Sequence, residues 1–135
     1  MGARSKARKR AVDILFESDL RGVDPLELLA ERVESTDVPP ISDYTVALVQ
    51  GVMSHREDID RLLTEQARDW TLARMPAVDR AVLRLGTYEV LFSDEVDDAV
   101  AIDEAIELAR ALSTDESPRF INGVLGAIAS LTHGP

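Results

Sequence analysis

Five basic residues crowd the first ten positions of the chain, with no acid among them: Arg4, Lys6, Arg8, Lys9 and Arg10. Exposed arginine and lysine side chains suit the binding of a nucleic-acid backbone, because they approach phosphates at little desolvation cost. Arginine also forms bidentate hydrogen bonds and stacks on unpaired bases, as in RNA recognition. The cluster therefore predicts an RNA contact. A disordered solubilising tail is the alternative that has the same composition.

The remainder of the chain is acidic. The sequence has 15 Lys plus Arg and 25 Asp plus Glu, so its formal net charge is −10. Without the five N-terminal cations, ten bases face 25 acids, which is a net charge of −15. Charge this polarised predicts a local basic site on an acidic body. Seven of the acids follow one another with no basic residue between them, and we call them the acidic belt: Asp94, Glu95, Asp97, Asp98, Asp103, Glu104 and Glu107.

The residue inventory gives no support to an enzyme. The chain has no cysteine, and its two histidines, His55 and His133, lack metal-ligand spacing with other strong ligands. It has no phosphate-binding loop, dinucleotide fingerprint or nucleophile elbow. We therefore expect no catalytic residue, metal or cofactor. The apolar runs are far shorter than the roughly twenty residues of a membrane span, and no secretory signal is visible, so a cytoplasmic protein is expected.

Hydrophobic residues recur with helical period throughout the chain, and no segment alternates long enough to predict a strand. The expected fold is all-α: a compact single-domain bundle of six or seven helices over residues 1–135. Stop and start signals support this division. Gly22 ends the first helix near Arg21, while Asp24-Pro25 and Ser117-Pro118 each combine an N-cap with proline at the first helical position.

The helix interiors yield further expectations. In the second helix, Leu26, Leu29 and Val33 should point inward. One long helical stretch should run from Ser42 or Asp43 to about Leu63. Asn122-Gly123 lies inside a helical pattern, and small residues there and at positions 126 and 127 would let another backbone approach.

The first helix places its basic residues in conflict with its apolar face. Val12, Leu15, Phe16 and Leu20 form an apolar stripe, and Arg8 and Lys9 fall in line with it. Because two cations should not be buried in such a stripe, the core contact is expected to end near Val12. Residues 1–10 would then project from the body as a basic N-terminal arm.

Three segments resemble the NusB family in order and spacing: ARKRAVDILFE near the start, VDRAVLRLGTYEV at 78–90, and IDEAIELARALSTDESPRFINGVLGAI at 102–128. The resemblance implies a transcription antitermination factor, chiefly for ribosomal RNA operons. Members of the family pair with the ribosomal protein NusE, bind single-stranded boxA RNA and join a complex with NusA, NusG and RNA polymerase. The same fold also occurs as an RNA-binding domain of rRNA methyltransferases. That enzyme class is not supported, because the chain has no glycine-rich cofactor loop.

The resemblance also implies where RNA is bound. Glu116, or Asp115, and Phe120 occupy the positions of an acid and an aromatic that contribute to base recognition, with Arg119 between them. A carboxylate can accept from an exocyclic amine, and a ring can stack on a base. The alternatives are that the acids favour the helix N-terminus and that Phe120 belongs to the core. Phe16 matches a family aromatic near the RNA, and core packing is its alternative.

Basic NusE would dock on the C-terminal helices, where complementary charge would orient the encounter. The candidate residues for this interface are Asp79, Arg84, Glu89, Asp103, Glu104 and Glu107. A solvated acidic face is the alternative. For the whole chain, the competing hypothesis is a helical protein–protein adaptor or homodimer without direct RNA contact.

Overall fold

Seven α-helices form the structure of residues 2–68 and 70–133, the part of the chain that the computed structural model describes, and no strand occurs there. This confirms the predicted all-α bundle. The predicted single domain over residues 1–135 also includes Met1, Asp69, Gly134 and Pro135, which lie outside the described residues. The helices are α1 (Ala3–Arg21), α2 (Pro25–Glu34), α3 (Asp43–Ser54), α4 (Arg56–Gln66), α5 (Ala77–Leu91), α6 (Asp98–Leu112) and α7 (Ser117–His133). None of the described helices is long and apolar enough to cross a membrane.

Helix α5 forms the centre of the bundle and packs against α1, α3, α4, α6 and α7. Its residues are buried on almost every side, as expected of a helix surrounded by others. Two glycines allow neighbours to approach this helix closely. A Cβ at Gly86 would lie 2.7 Å from Leu125 Cδ1, and a Cβ at Gly51 would lie 2.2 Å from the ring of Tyr88. Both positions therefore require glycine, because any side chain would collide with a neighbouring helix.

Helix α1 ends as its sequence predicts and begins earlier than predicted. Gly22 adopts a left-handed conformation with φ of 67°, which closes the helix after Arg21. At the other end, however, residues 3–10 continue the helix, and Ala7 and Arg8 are buried. The predicted arm projecting beyond Val12 is therefore wrong for these residues. Leu20, which was expected on the buried face, is 63% exposed.

Helix α2 begins at the predicted cap, where the side chain of Asp24 accepts a hydrogen bond of 2.9 Å from the amide of Leu26. Its orientation differs from the prediction. Leu28 and Leu29 are buried, whereas Leu26 and Val33 are exposed. The helix packs against α1 and α3, so only part of its apolar surface is covered.

The predicted continuous helix from Ser42 to Leu63 is also wrong, because the chain turns at His55 between α3 and α4. The His55 ring stacks on Phe92 with centroids 4.0 Å apart and planes 9° apart. The turn directs α4 so that Ile59 and Leu63 are fully buried, with α4 against α5 and α7. A single straight helix could not make both sets of contacts.

Candidate nucleic-acid interface

The N-terminal cations divide into one that is buried and four that are not. Arg8 is 2% exposed and forms a bidentate pair with Glu89 of α5, in which Nε–Oε1 is 2.7 Å and Nη2–Oε2 is 3.1 Å. The hydroxyl of Tyr44 donates a third hydrogen bond to Glu89, at 2.6 Å. Glu104 lies 3.5 Å from the remaining nitrogen of Arg8. We call these four residues the Arg8 cluster.

The surroundings of the Arg8 cluster keep Arg8 charged and Tyr44 neutral. Burial by itself lowers the pKa of Arg8, but the hydrogen bonds and charge of Glu89 more than offset this, and the pKa is raised. Burial, together with the hydrogen bond to Glu89, raises the pKa of Tyr44, so its hydroxyl remains a donor. Because the buried guanidinium of Arg8 is paired with Glu89, its role is to hold α1 on α5. The expectation that Arg8 contacts RNA is therefore not supported by this conformation.

The other basic residues remain at the surface. Lys6 and Lys9 are exposed and, together with the half-buried Arg10, occur at i, i+3 and i+4, so they share one side of α1. Arg4 lies over the ring of Tyr44, 4.8 Å from its centroid, and donates a hydrogen bond of 3.2 Å to the carbonyl of Glu95. The helix thus presents an ordered group of cations where a mobile arm was expected. Their contact with RNA stays a prediction.

A second candidate surface is an open groove of about 900 Å³ between the end of α4 and the start of α7. Trp70 and Phe120 meet there edge to face, with ring centroids 4.9 Å apart and planes at 70°. We call it the Trp70–Phe120 groove. It is lined by Gln66, Arg68, Trp70, Asp115, Glu116, Arg119, Phe120, Gly123 and Val124. Cations and aromatic rings on one open surface can bind the phosphates and bases of single-stranded nucleic acid.

The structure brings together the predicted residues around the start of α7 and adds others from the loop between α4 and α5. Glu116 and Arg119 are exposed in the groove, whereas Phe120 is half-buried and packs against the core with one side. Phe16 is also partly buried against the core, and it does not line the groove. Sequence reasoning missed Arg68 and Trp70. Trp70 could have been noticed as the chain's one tryptophan.

The small residues of α7 do not serve the predicted close approach of a backbone. A Cβ added to Gly123 or Gly126 would meet nothing within 4 Å. Gly123 instead lines the Trp70–Phe120 groove, where its missing side chain leaves the groove open. The prediction of close packing at Gly123 and Gly126 is wrong because this side of α7 faces outward.

The start of α7 is fixed from beneath by Asp79, which is fully buried. Its two carboxylate oxygens accept hydrogen bonds from Ser113 Oγ at 2.5 Å and Ser117 Oγ at 2.9 Å. Ser117 Oγ also contacts the hydroxyl of Thr114 at 2.8 Å. The Ser/Thr-rich loop between α6 and α7 thus has a structural reason for its composition, which is to anchor the helix that carries Phe120.

Half of the residues predicted for a protein interface are interior. Asp79, Glu89 and Arg84 are 0%, 1% and 8% exposed. Arg84 pairs with Asp60 through contacts of 2.9 and 3.2 Å; burial alone would raise the pKa of Asp60, but Arg84 and Arg56 lower it. The first three side chains therefore have partners within the chain and are not presented to a docking protein in this conformation.

The other three residues predicted for the protein interface lie on α6. Asp103 and Glu107 are exposed, and the half-buried Glu104 accepts a hydrogen bond of 2.7 Å from Ser5. Glu104 of the acidic belt thus contacts α1 through Ser5 and Arg8. Among the described residues, no group of three or more His, Asp or Glu is arranged to hold a metal ion.

The fold and these surfaces define a class: an all-helical protein whose outer face carries cations and half-buried aromatic rings. Within that class, the family model described as the NusB family matches residues 5–130. A protein named Transcription antitermination protein NusB from Saccharopolyspora erythraea is 67% identical over 132 residues, which cover 97% of this chain and 89% of that protein. A protein of the same name from Salinispora arenicola is 56% identical over 131 residues, covering 96% of each. The chain therefore belongs to the NusB family.

Solved structures agree with this assignment. NusB from T. maritima superimposes with a TM-score of 0.83 at 32% identity, covering 100% of this chain and 95% of that chain. A chain in a crystal structure of antitermination factors NusB and NusE with double-stranded RNA has a TM-score of 0.81 at 30% identity, covering 95% and 96%. Transcription antitermination, the function named for the relatives, is a non-enzymatic role.

Proposed function

We propose that this chain is a transcription antitermination factor that binds RNA together with NusE. The observation that carries the proposal is the Trp70–Phe120 groove, which combines two aromatic rings with Arg68 and Arg119. The similarity to a NusB that was crystallised with NusE and RNA supports the same conclusion. By its chemistry, the groove suits unpaired bases, which can stack on Trp70 and Phe120 while Glu116 accepts a hydrogen bond from an exocyclic amine.

The phosphate backbone would follow the exposed cations of α1. Helix α5 connects the two regions: Asp79 supports the start of α7, and Glu89 holds Arg8. These two positions are separated by about 15 Å along the helix axis. We expect a single-stranded segment to contact Lys6 and Lys9 and to place bases at the groove. Arg8 contributes by keeping α1 in place.

The finer proposal is that the RNA is a boxA element of ribosomal RNA operons. The chain would act in the cytoplasm, in a complex with NusA, NusG and RNA polymerase, and would work as a single domain. NusE, as a basic ribosomal protein, would use the exposed acids of α6, namely Asp103 and Glu107, with Glu104 at the edge. Opposite charge at this surface would mainly accelerate association and select its orientation.

The test is a titration of boxA-like single-stranded RNA with the full chain, with and without NusE. Fluorescence of Trp70 provides the signal, because no other tryptophan is present. We expect quenching by the boxA-like RNA, weaker quenching by a scrambled RNA, and tighter binding when NusE is added. Binding of NusE with no RNA response under any condition would contradict the proposal and favour the adaptor without RNA contact.

The NusE surface has a separate test. Asp103→Lys with Glu107→Lys should slow association with NusE. Glu57→Lys with Glu65→Lys, at two exposed positions of α4, is the control matched in charge. Equal association rates for the two variants would exclude the α6 surface.

A further inference from the structure

A groove of about 730 Å³ lies between α2 and α3, outside the surfaces described above. Four apolar residues of α2 line it: Leu26, Leu29, Ala30 and Val33. They occur at i, i+3, i+4 and i+7, the spacing of a helix face that is covered by another helix. Leu26 is nevertheless 41% exposed and Val33 is 53% exposed. This face therefore remains open.

Helix α3 supplies the opposite wall with the same periodicity. Val46, Gln50 and Met53 line the groove at i, i+4 and i+7. Two helix faces with this spacing form the type of groove that accepts a third, amphipathic helix. Met53 adds a flexible and polarizable side chain, which adapts to the shape of an apolar partner.

The charges around the groove restrict its partner. Asp24 and Glu34 line it from the two ends of α2, a helix about 15 Å long. Glu27 and Glu31 are exposed on the same helix, and none of the described residues that line the groove is basic. Arg32, the one base of α2, donates a hydrogen bond of 2.6 Å to Glu17 and does not line the groove. This acidic rim repels the phosphates of RNA, and it also disfavours a second copy of a chain whose net charge is −10.

We infer that the α2–α3 groove binds an amphipathic α-helix of a basic protein partner. The helix presents apolar side chains at i, i+3 or i+4, and i+7 to Leu26, Val33 and Val46, and it carries lysine or arginine near both ends to meet Asp24 and Glu34. This surface is independent of the Trp70–Phe120 groove, so the chain can hold RNA and the helical partner together.

The probe is a synthetic peptide of about 14 residues, long enough to extend along α2, with leucine at the stated spacing and lysine near each end. A charge-reversed peptide with glutamate for lysine is the matched ligand control. Fluorescence polarisation of the labelled peptide should show saturable binding to the full chain, which weakens as salt is added. The charge-reversed peptide should bind at least about tenfold more weakly, because like charges meet at the rim.

Two variants locate the binding. Val33→Lys places a cation among the apolar contacts and should weaken binding of the lysine peptide by at least about tenfold. Val100→Lys on α6 is the matched control, because Val100 is 47% exposed and does not line the groove. It should leave binding unchanged. Both substituted side chains are at the surface, so helicity and the unfolding midpoint are expected to remain close to those of the parent.

Several results would overturn the inference. Absence of saturable binding, equal binding of the two peptides, or equal effects of the two variants would each show that the groove has no such specificity. Dissociation of a dimer by Val33→Lys in sedimentation would assign the groove to a second copy. Displacement of the peptide by boxA-like RNA would assign it to nucleic acid. Failure here leaves RNA quenching of Trp70 unaffected, so it is distinguishable from failure of the proposed function.

Discussion

The Arg8 cluster and the Trp70–Phe120 groove are built from the same kinds of side chain. Each combines arginine, a carboxylate and an aromatic ring, yet their surroundings differ. Arg8 and Glu89 have side chains only 3% and 1% exposed, and both are held by hydrogen bonds. Arg119 and Glu116 are exposed at the edge of an open groove.

The difference shows how burial assigns the role of a charged residue. In the interior, an ion pair that loses one member leaves a charge without water or a partner. The buried pair therefore stabilises the fold and does not bind a ligand. At the surface, the same groups remain hydrated and can exchange water for a ligand. Residue type alone would have assigned Arg8 and Arg119 to the same RNA contact.

The largest expected effect compares one substitution in the two regions. Glu89→Gln should lower the free energy of unfolding by about 3–5 kcal/mol, because it removes the bidentate counter-charge of the buried Arg8 and leaves only Glu104, at 3.5 Å. The same change at the exposed Glu116 should alter it by less than about 0.5 kcal/mol. Urea denaturation followed by circular dichroism measures both. Similar values for the two variants would remove the distinction between the clusters.

A second comparison concerns the aromatic residues. Trp70→Ala and Phe120→Ala should each weaken RNA binding by about 1–3 kcal/mol, since each removes a surface on which a base can stack. Tyr44→Phe in the Arg8 cluster is the control: it should cost about 1 kcal/mol of stability and leave RNA affinity unchanged. Polarisation of labelled RNA measures the affinity of every variant, including Trp70→Ala, which has no tryptophan fluorescence. Loss of cooperative melting in Phe120→Ala would instead place that ring in the core.

The salt dependence of RNA binding separates Arg8 from its neighbours. Five N-terminal cations on phosphates would give a slope of log affinity against log salt of up to about −3.5, and four would give about −2.8. Lys6→Gln combined with Lys9→Gln should make the slope shallower by about 1.4. Arg8→Met should chiefly reduce stability. An unchanged slope in the double variant, or unchanged affinity after deletion of residues 1–10, would show that RNA does not contact α1.

The smallest expected effect concerns Gly123, which lines the Trp70–Phe120 groove. Gly123→Ala should raise the free energy of unfolding by about 0.5–1 kcal/mol, because alanine favours the helix and its Cβ meets no neighbour. Gly51→Ala should destabilise, since its Cβ would collide with Tyr88. Thermal melts of the two variants give the signs. Destabilisation by Gly123→Ala would show that the outer side of α7 is packed after all.

Local signals predicted much of the fold. Gly22 and Asp24-Pro25 placed helix ends where the structure has them, because capping depends on neighbours in the chain. Ser117-Pro118 marked the start of α7, but Ser117 is the first residue of the helix and not its cap, and its hydroxyl donates a hydrogen bond to Asp79. The inward residues of α2 and the break at His55 could not be predicted in this way. They depend on which helices cover α2 and on the stacking of His55 against Phe92, a residue far along the chain.

The candidate site shows the same division. Glu116, Arg119 and Phe120 were found through their resemblance to a family motif, and they do lie together. Arg68 and Trp70 were missed because they belong to an irregular loop, whose path depends on tertiary contacts.

By itself, the sequence determined that the chain is an all-α bundle with a basic start and an acidic body, since helical periodicity and charge are properties of the residues in order. Only the tertiary structure decided which charges are available to a ligand. Glu89 and Tyr44 come from α5 and α3, and their approach to Arg8 converts one cation of a predicted arm into part of the interior. The free energy of burying an ion depends on partners that are distant in sequence, so the pattern of α1 alone could not reveal it.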